Sequence, residues 1–115
     1  MKLDKLVIVD ALEGTMLWTD HPITLRFEPI TEAAARELVA NAPHGWVSNC
    51  RKHALAAQFS RIFGVEVKQN GYGIPEGYGD YTMLLGRYIG PKFTELQPLP
   101  PGTTIDWFVV TPVEE

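Results

Sequence analysis

Residues 31–64 have the sequence TEAAARELVANAPHGWVSNCRKHALAAQFSRIFG, and the spacing of apolar side chains along this stretch decides the fold. In its first part, four apolar residues recur at positions i, i+3, i+4 and i+7: Ala35, Leu38, Val39 and Ala42. This spacing is typical of one face of a helix. Thr31 is a favourable N-cap residue, so we predict a first helix that starts after Thr31 and ends before Gly45.

A second helix is predicted over residues 50–63. Its apolar stripe consists of Leu55, Phe59, Ile62 and Phe63. Gly64 is expected to end this helix, because glycine adopts the left-handed conformation that follows many helices. Ser48 or Asn49 can cap its first turn. Residues 46–47 leave room only for a very short strand between the two helices.

Five other stretches predict strands, either by alternation of apolar and polar residues or by β-branched apolar content. They are residues 6–9, 23–27, 65–67, 81–88 and 105–111. Pro29 is expected to close the second strand, and the glycine-rich residues 70–79 are expected to form a loop. The resulting order, β-β-α-β-α-β-β-β, implies an α/β (α+β) domain over residues 1–115, with a single mixed sheet of about five strands backed by two main helices.

Composition narrows the classes of function. Fourteen acidic residues against ten lysines and arginines give a net charge of −4. This charge argues against binding to duplex nucleic acid but leaves room for a small anionic ligand. Cys50 is the one cysteine, so the chain forms no internal disulfide and no cysteine-rich zinc site. The sequence shows no signal-peptide pattern and no apolar run long enough to span a membrane, so we expect a cytoplasmic protein without a membrane partner. No metal and no cofactor are expected.

The start of the second helix is the first candidate site. Arg51, Lys52 and His53 follow one another there, and each cation opposes the positive end of the helix dipole by roughly 0.3–1 kcal/mol. A bound phosphate would reverse the sign of this effect. The alternative is that these long side chains extend into solvent. Beside a bound phosphate, His53 would serve as a proton donor. Arg87, near the end of the strand predicted over residues 81–88, is either a second phosphate ligand or a surface arginine.

Several stretches along almost the whole chain match one family pattern in order. They are DALEGTML at residues 10–17, VSNCRK at residues 47–52, FSRIFGVEV at residues 59–67, Asn70 with Gly71, and Arg87 before a glycine turn. In this order they resemble the viral ring nucleases, which are type III anti-CRISPR proteins of viruses and prophages. These proteins bind and cleave cyclic tetra-adenylate.

The resemblance implies a metal-free mechanism and a homodimer with the ring on its two-fold axis. An ungapped match puts Lys52 at the position of the catalytic histidine, and a shift of one residue puts His53 there, so both are catalytic candidates. Gly71 and Met83 stand where the family has an arginine and a glutamine. With the anion-site reasoning, the candidate ligand-binding residues are Asp10, Thr15, Ser48, Asn49, Arg51, Asn70 and Arg87.

The expected function is therefore binding, with cleavage, of a cyclic oligonucleotide second messenger such as a cyclic oligoadenylate, as viral counter-defence in the host cytoplasm. Two alternatives remain open. One is a sponge that sequesters the messenger without cleaving it. The other is a phage protein that uses this scaffold to bind a host protein, which an exposed apolar patch away from Lys52 would favour.

Overall fold

The computed structural model describes residues 5–10, 24–42, 45–70, 81–91 and 99–113. These ranges contain the strands and helices β1 Lys5–Val9, β2 Thr24–Ile30, α1 Glu32–Ala40, β3 Trp46–Asn49, α2 His53–Phe63, β4 Tyr81–Ile89 and β5 Thr104–Val113. The strands form one sheet in the order β2-β5-β4-β1-β3. The predicted fold class, a mixed sheet of about five strands with two helices, is thus confirmed.

β1 lies in the middle of the parallel part of the sheet. It pairs in parallel with β3 on one side and with β4 on the other, and Val9 lies opposite both Asn49 and Leu85. The other half is antiparallel, because β5 pairs with β4 and with β2. Residues 6–9 are all buried, which agrees with an uninterrupted apolar run in a central strand.

The two faces of the sheet carry separate apolar clusters. On the face covered by the helices, which we call the helix face, the cluster includes Leu6, Ile8, Ala35, Leu55 and Phe59. On the opposite face, which we call the second face, the cluster consists of Val7, Val9, Met83, Leu85 and Val110, with half-buried neighbours around them. Successive residues of a strand point to opposite faces, so each strand contributes to both clusters.

Gly86 fixes the position of α2 on the sheet. A Cβ atom at this position would lie 2.6 Å from Cζ of Phe59 and 2.7 Å from Cζ3 of Trp107, closer than carbon atoms pack. The rings of Phe59 and Trp107 are in contact, with centroids 5.0 Å apart. The absence of a side chain at Gly86 therefore lets the Phe59 ring of α2 pack directly on β4.

The helix ends agree with the sequence in two places. The hydroxyl of Thr31 accepts a hydrogen bond from the N–H of Ala34 at 3.1 Å, as expected of the α1 cap. Gly64 ends α2 with a φ of 69°, as expected of a left-handed terminus. In the described part of the chain, neither helix is long and apolar enough to span a membrane.

Other predicted boundaries are wrong. Residues 65–67 form no strand; instead Gln69 makes an isolated parallel bridge with Cys50. β2 continues through Pro29 to Ile30, since among the described strands its one neighbour is β5 and an edge strand tolerates a proline. α2 begins at His53, three residues later than predicted.

Candidate functional site

The carboxyl ends of β1, β3 and β4 meet at one edge of the sheet, because these three strands are parallel. Asp10 directly follows β1, and Cys50 directly follows β3. From Cys50 the chain passes through two residues into α2. In open α/β sheets, ligands bind outside the carboxyl ends of strands. We call this place the carboxyl edge, and most of the candidate residues lie at it.

The side chain of Asp10 links the end of β1 to the residues before α2 through two hydrogen bonds. Its Oδ1 accepts a hydrogen bond from the N–H of Arg51 at 3.1 Å, and its Oδ2 accepts one from the N–H of Lys52 at 2.9 Å. Asp10 is 7% exposed, so these charge-assisted bonds replace its hydration. Two backbone N–H groups at the candidate phosphate site are therefore occupied by a carboxylate of the chain itself. A direct ligand contact by Asp10 stays a prediction.

Ser48 and Asn70 join β3 to residues 67–70. The Ser48 hydroxyl donates to the carbonyl oxygen of Lys68 and accepts from the N–H of Cys50 at 3.3 Å. The Asn70 side-chain amide donates to the carbonyl oxygen of Ser48 at 3.0 Å, and the Asn70 backbone N–H donates to that of Cys50 at 2.8 Å. Both candidates thus lie at the carboxyl edge and support it. The prediction that Ser48 caps α2 is wrong, since the helix begins five residues later.

α2 begins without a side-chain cap. Its N-cap residue, Lys52, makes no capping hydrogen bond, and its first turn contains no acidic residue. Within the described ranges, the N–H groups of His53, Ala54 and Leu55 therefore have no side-chain partner. The side chains of Arg51, Lys52 and His53 are exposed. Cations do lie at the positive end of the helix dipole, as the sequence predicts.

Asn49, the last residue of β3, has a buried side-chain amide without a hydrogen-bond partner. It is 2% exposed, and neither its Oδ1 nor its Nδ2 is paired. An unpaired buried group of this kind costs roughly 1–3 kcal/mol. Since Val9 lies directly opposite, strand alternation directs Asn49 to the second face. The prediction that Asn49 caps α2 is therefore also wrong, and the unpaired amide is a position where a ligand or water would gain a hydrogen bond.

Arg87 also lies on the second face, two residues beyond the partner of Val9 on β4. Its guanidinium pairs with Asp106 at 3.0 Å and lies 5.4 Å from the ring centroid of Phe108. The two charged side chains are 57% and 44% exposed, and exposed pairs of this kind contribute about 0.2–1 kcal/mol. A phosphate could therefore replace Asp106 at little cost. Sequence reasoning missed Asp106, because only the β4–β5 register reveals it.

Cys50 lies fully buried next to these residues. Burial, and to a smaller degree the charge of Asp10, raises the pKa of the Cys50 thiol to about 12, against the opposing effect of its hydrogen bond with Ser48. The sulfur lies 3.8 Å from the carbonyl oxygen of Ile8. At neutral pH the thiol is therefore protonated and is not a nucleophile.

The remaining candidate, Thr15, lies outside the described residues. Among the residues that the structure does describe, no group of three or more histidine, cysteine, aspartate or glutamate side chains is arranged to hold a metal ion. The chain matches none of the protein-family models and none of the curated proteins with which it was compared.

Proposed function

We propose that this chain binds a cyclic oligoadenylate at the carboxyl edge and cleaves one of its phosphodiester bonds, as its resemblance to the viral ring nucleases implies. The observation that supports this proposal most is the uncapped start of α2, where Lys52 and His53 are exposed beside first-turn N–H groups. An anion bound there would offset the opposition between these cations and the helix dipole, which is worth about 0.3–1 kcal/mol for each charge.

A ligand larger than a single nucleotide suits the positions of the candidate residues. The start of α2 lies on the helix face, whereas Arg87 lies on the second face near the same edge. A ring of several nucleotides could place one phosphate at α2 and another at Arg87, whose guanidinium can bind two phosphate oxygens. The unpaired amide of Asn49 has the donor and acceptor atoms that pair with N7 and the N6 amino group of adenine, and an adenine would have to displace the atoms that now bury it.

In the proposed cleavage step, a ribose 2′-oxygen attacks the adjacent phosphorus, so that the P–O2′ bond forms and the P–O5′ bond breaks. The imidazolium of His53 donates a proton to the departing 5′-oxygen, and the proton of the 2′-hydroxyl passes to water. The products are a 2′,3′-cyclic phosphate at one end and a 5′-hydroxyl at the other. General acid catalysis of this kind contributes about 10²–10⁴-fold, and alignment of the reacting atoms supplies much of the rest.

The sponge is the second candidate function, and Lys52 is the residue that favours it. An alkylammonium group holds its proton more tightly than an imidazolium does, which makes it a weaker general acid. If Lys52 rather than His53 meets the scissile phosphate, the messenger is bound tightly and is not cleaved. The third candidate, a protein-binding module, would use an exposed apolar patch. Phe27, which is 48% exposed on β2 at the opposite end of the sheet from β3, is the residue at which to test it.

Binding and cleavage are tested together with cyclic tetra-adenylate as the probe, in buffer that contains EDTA. We expect the melting temperature to rise with ligand concentration, because the ligand binds the folded state. We also expect linear products on chromatography. His53→Ala should slow cleavage by at least about 10²-fold with little change in the melting shift.

Arg26→Ala is the control for the loss of a surface cation, since Arg26 is exposed on β2, at the opposite end of the sheet from β3. It should change neither binding nor cleavage. Tight binding without products in the native chain would establish the sponge. Cleavage that survives His53→Ala and is lost in Lys52→Ala would assign the catalytic position to Lys52. An equal melting shift with sulfate, or no shift with the ring, would contradict the proposal.

A further inference from the structure

The helix face contains a half-open cavity of about 480 Å³ that is separate from the carboxyl edge. Its floor is formed by apolar side chains of three strands, Leu6, Ile30 and Val109, and its wall by Ala34 and Leu38 of α1. The volume lies within the range of about 300–1,000 Å³ that is usual for sites of small molecules. None of the residues proposed to bind the nucleotide lines it.

The polar groups at this cavity are all suited to accept hydrogen bonds. Glu28 from β2 and Glu37 from α1 line it together with Asn41. The amide nitrogen of Asn41 donates one of its two N–H groups to the carbonyl oxygen of Glu37 at 3.0 Å, and the amide oxygen is an acceptor. The cavity therefore combines apolar walls with two carboxylates and an amide oxygen.

Neither carboxylate is neutralised by a cation in the described part of the chain. Arg36, the neighbour of Glu37 in the sequence, pairs instead with Glu32 at 3.1 Å. Arg26 lies two residues before Glu28 on β2 but does not line the cavity. A ligand with a positive charge would thus meet two solvent-exposed carboxylates that form no ion pair with a described cation, whereas a phosphate would be repelled by them.

From this combination we infer that the cavity binds an organic ammonium ion with an apolar body. The apolar part lies on Leu6, Ile30 and Val109, and the protonated nitrogen donates to Glu28, Glu37 and the amide oxygen of Asn41. This site does not depend on the proposed nucleotide function. A neutral molecule of the same shape gains the apolar contacts alone, so the charge of the nitrogen decides the affinity.

The test uses the full chain labelled with ¹⁵N, titrated at pH 7 with 2-phenylethylamine, and with 2-phenylethanol as the neutral molecule of matched shape. For a ligand of this size we expect a Kd on the order of 1 mM for the amine. Amide signals of α1 around Leu38 and of Ile30 in β2 should shift, and those at the α2 start should not. The alcohol should bind more weakly by about twofold to fivefold for each carboxylate that the ammonium contacts.

The double variant Glu28→Gln with Glu37→Gln keeps the shape of the cavity and removes its charge. Both residues are exposed, so the variant should fold, and it should bind the amine no better than the alcohol. Glu66→Gln is the matched control, because Glu66 is exposed and does not line the cavity. Equal binding of amine and alcohol, unchanged binding by the double variant, or shifts confined to other regions would overturn the inference.

Discussion

Among individual side chains, Asp10 has the largest influence on the geometry of the carboxyl edge. Its two oxygens hold the N–H groups of Arg51 and Lys52, and these bonds link the end of β1 to the residues before α2. The same carboxylate puts a negative charge beside the place where a phosphate is proposed to bind. Asp10 therefore stabilises the scaffold of the proposed site, and we expect its charge to lower the affinity of that site for anions.

Asp10→Asn should separate these two effects. The oxygen of the asparagine side chain still accepts from one of the two backbone N–H groups, but its NH₂ group then faces the other N–H group, which loses its acceptor. We therefore expect the free energy of unfolding to fall by about 1.5–3 kcal/mol. Binding of cyclic tetra-adenylate by the folded variant should become tighter, since a nearby negative charge is removed. Asp106→Asn is the control, because that carboxylate is exposed and its loss should cost less than about 1 kcal/mol. If urea denaturation gives the same loss of stability for Asp10→Asn and Asp106→Asn, this role of Asp10 is contradicted.

Cys50 predicts a dependence of stability on alkaline pH. The pKa of its thiol is raised to about 12 in the folded chain, so the unfolded chain releases this proton at lower pH than the folded chain does. The contribution of Cys50 to stability is therefore fully present below the unfolded pKa of about 8.5 and is lost as pH rises towards 12, by up to about 1.4 kcal/mol per pH unit.

Urea denaturation at pH 8 and at pH 10.5 measures this effect. Cys50→Ala is the reference, because it lacks the thiol while every other titrating group remains. The difference in stability between the native chain and the variant should shrink or reverse at the higher pH. If the free energies of unfolding of the two proteins change by the same amount between pH 8 and pH 10.5, the thiol does not contribute to the pH dependence of stability.

At the scale of the elements, the two helices differ in how they begin. α1 starts with the side-chain cap of Thr31 and has an acidic residue, Glu32, in its first turn. α2 starts at Lys52 with neither feature. Where local rules of stability are broken in this way, the broken rule often belongs to a functional site.

Lys52→Ser should restore the missing cap. The N-cap residue has an extended backbone, with φ −97° and ψ 122°, which suits a serine side chain that accepts from a first-turn N–H. We expect thermal denaturation to show stabilisation of about 0.5–1 kcal/mol, together with weaker binding of the ring. Thr31→Ala in α1 is the matched opposite change and should cost about 1 kcal/mol. A Lys52→Ser variant without any gain in stability would mean that another group already satisfies the α2 start.

The sequence predicted the elements better than their connections at the site. Apolar periodicity marks both helices, and Gly64 marks the end of α2, because these signals act within a few residues. The start of α2 was predicted three residues too early. Its place depends on Asp10, about forty residues away, and on the hydrogen bonds of Ser48, which are long-range contacts that no local pattern records.

For the whole molecule, the mixed sheet could be predicted but the order of its strands could not. Alternation identifies a strand without identifying its neighbour, and β1 pairs with two strands that are far from it in the sequence. This order is what brings Asp10, Ser48 and Asn70 together. It also sets Arg87 and Asn49 on the face opposite the helices, which sequence reasoning could not foresee.

The whole-molecule prediction concerns assembly. If one ring contacts the carboxyl edges of two chains, the stoichiometry measured by calorimetry should be one ring for two chains. Light scattering should give about twice the chain mass of 12.9 kDa, and the ring should shift any monomer towards the dimer by mass action.

The same requirement locates the interface. The carboxyl edge of β1 and β3 must lie near the two-fold axis, so the exposed edge of β2, at the other end of the sheet, must lie away from it. Phe27→Ser on β2 should therefore leave both mass and stoichiometry unchanged, although it removes a side chain that is 48% exposed. A mass of one chain with one ring bound to each would exclude a shared ring. A dimer that dissociates in Phe27→Ser would place the interface on β2 and favour the protein-binding alternative.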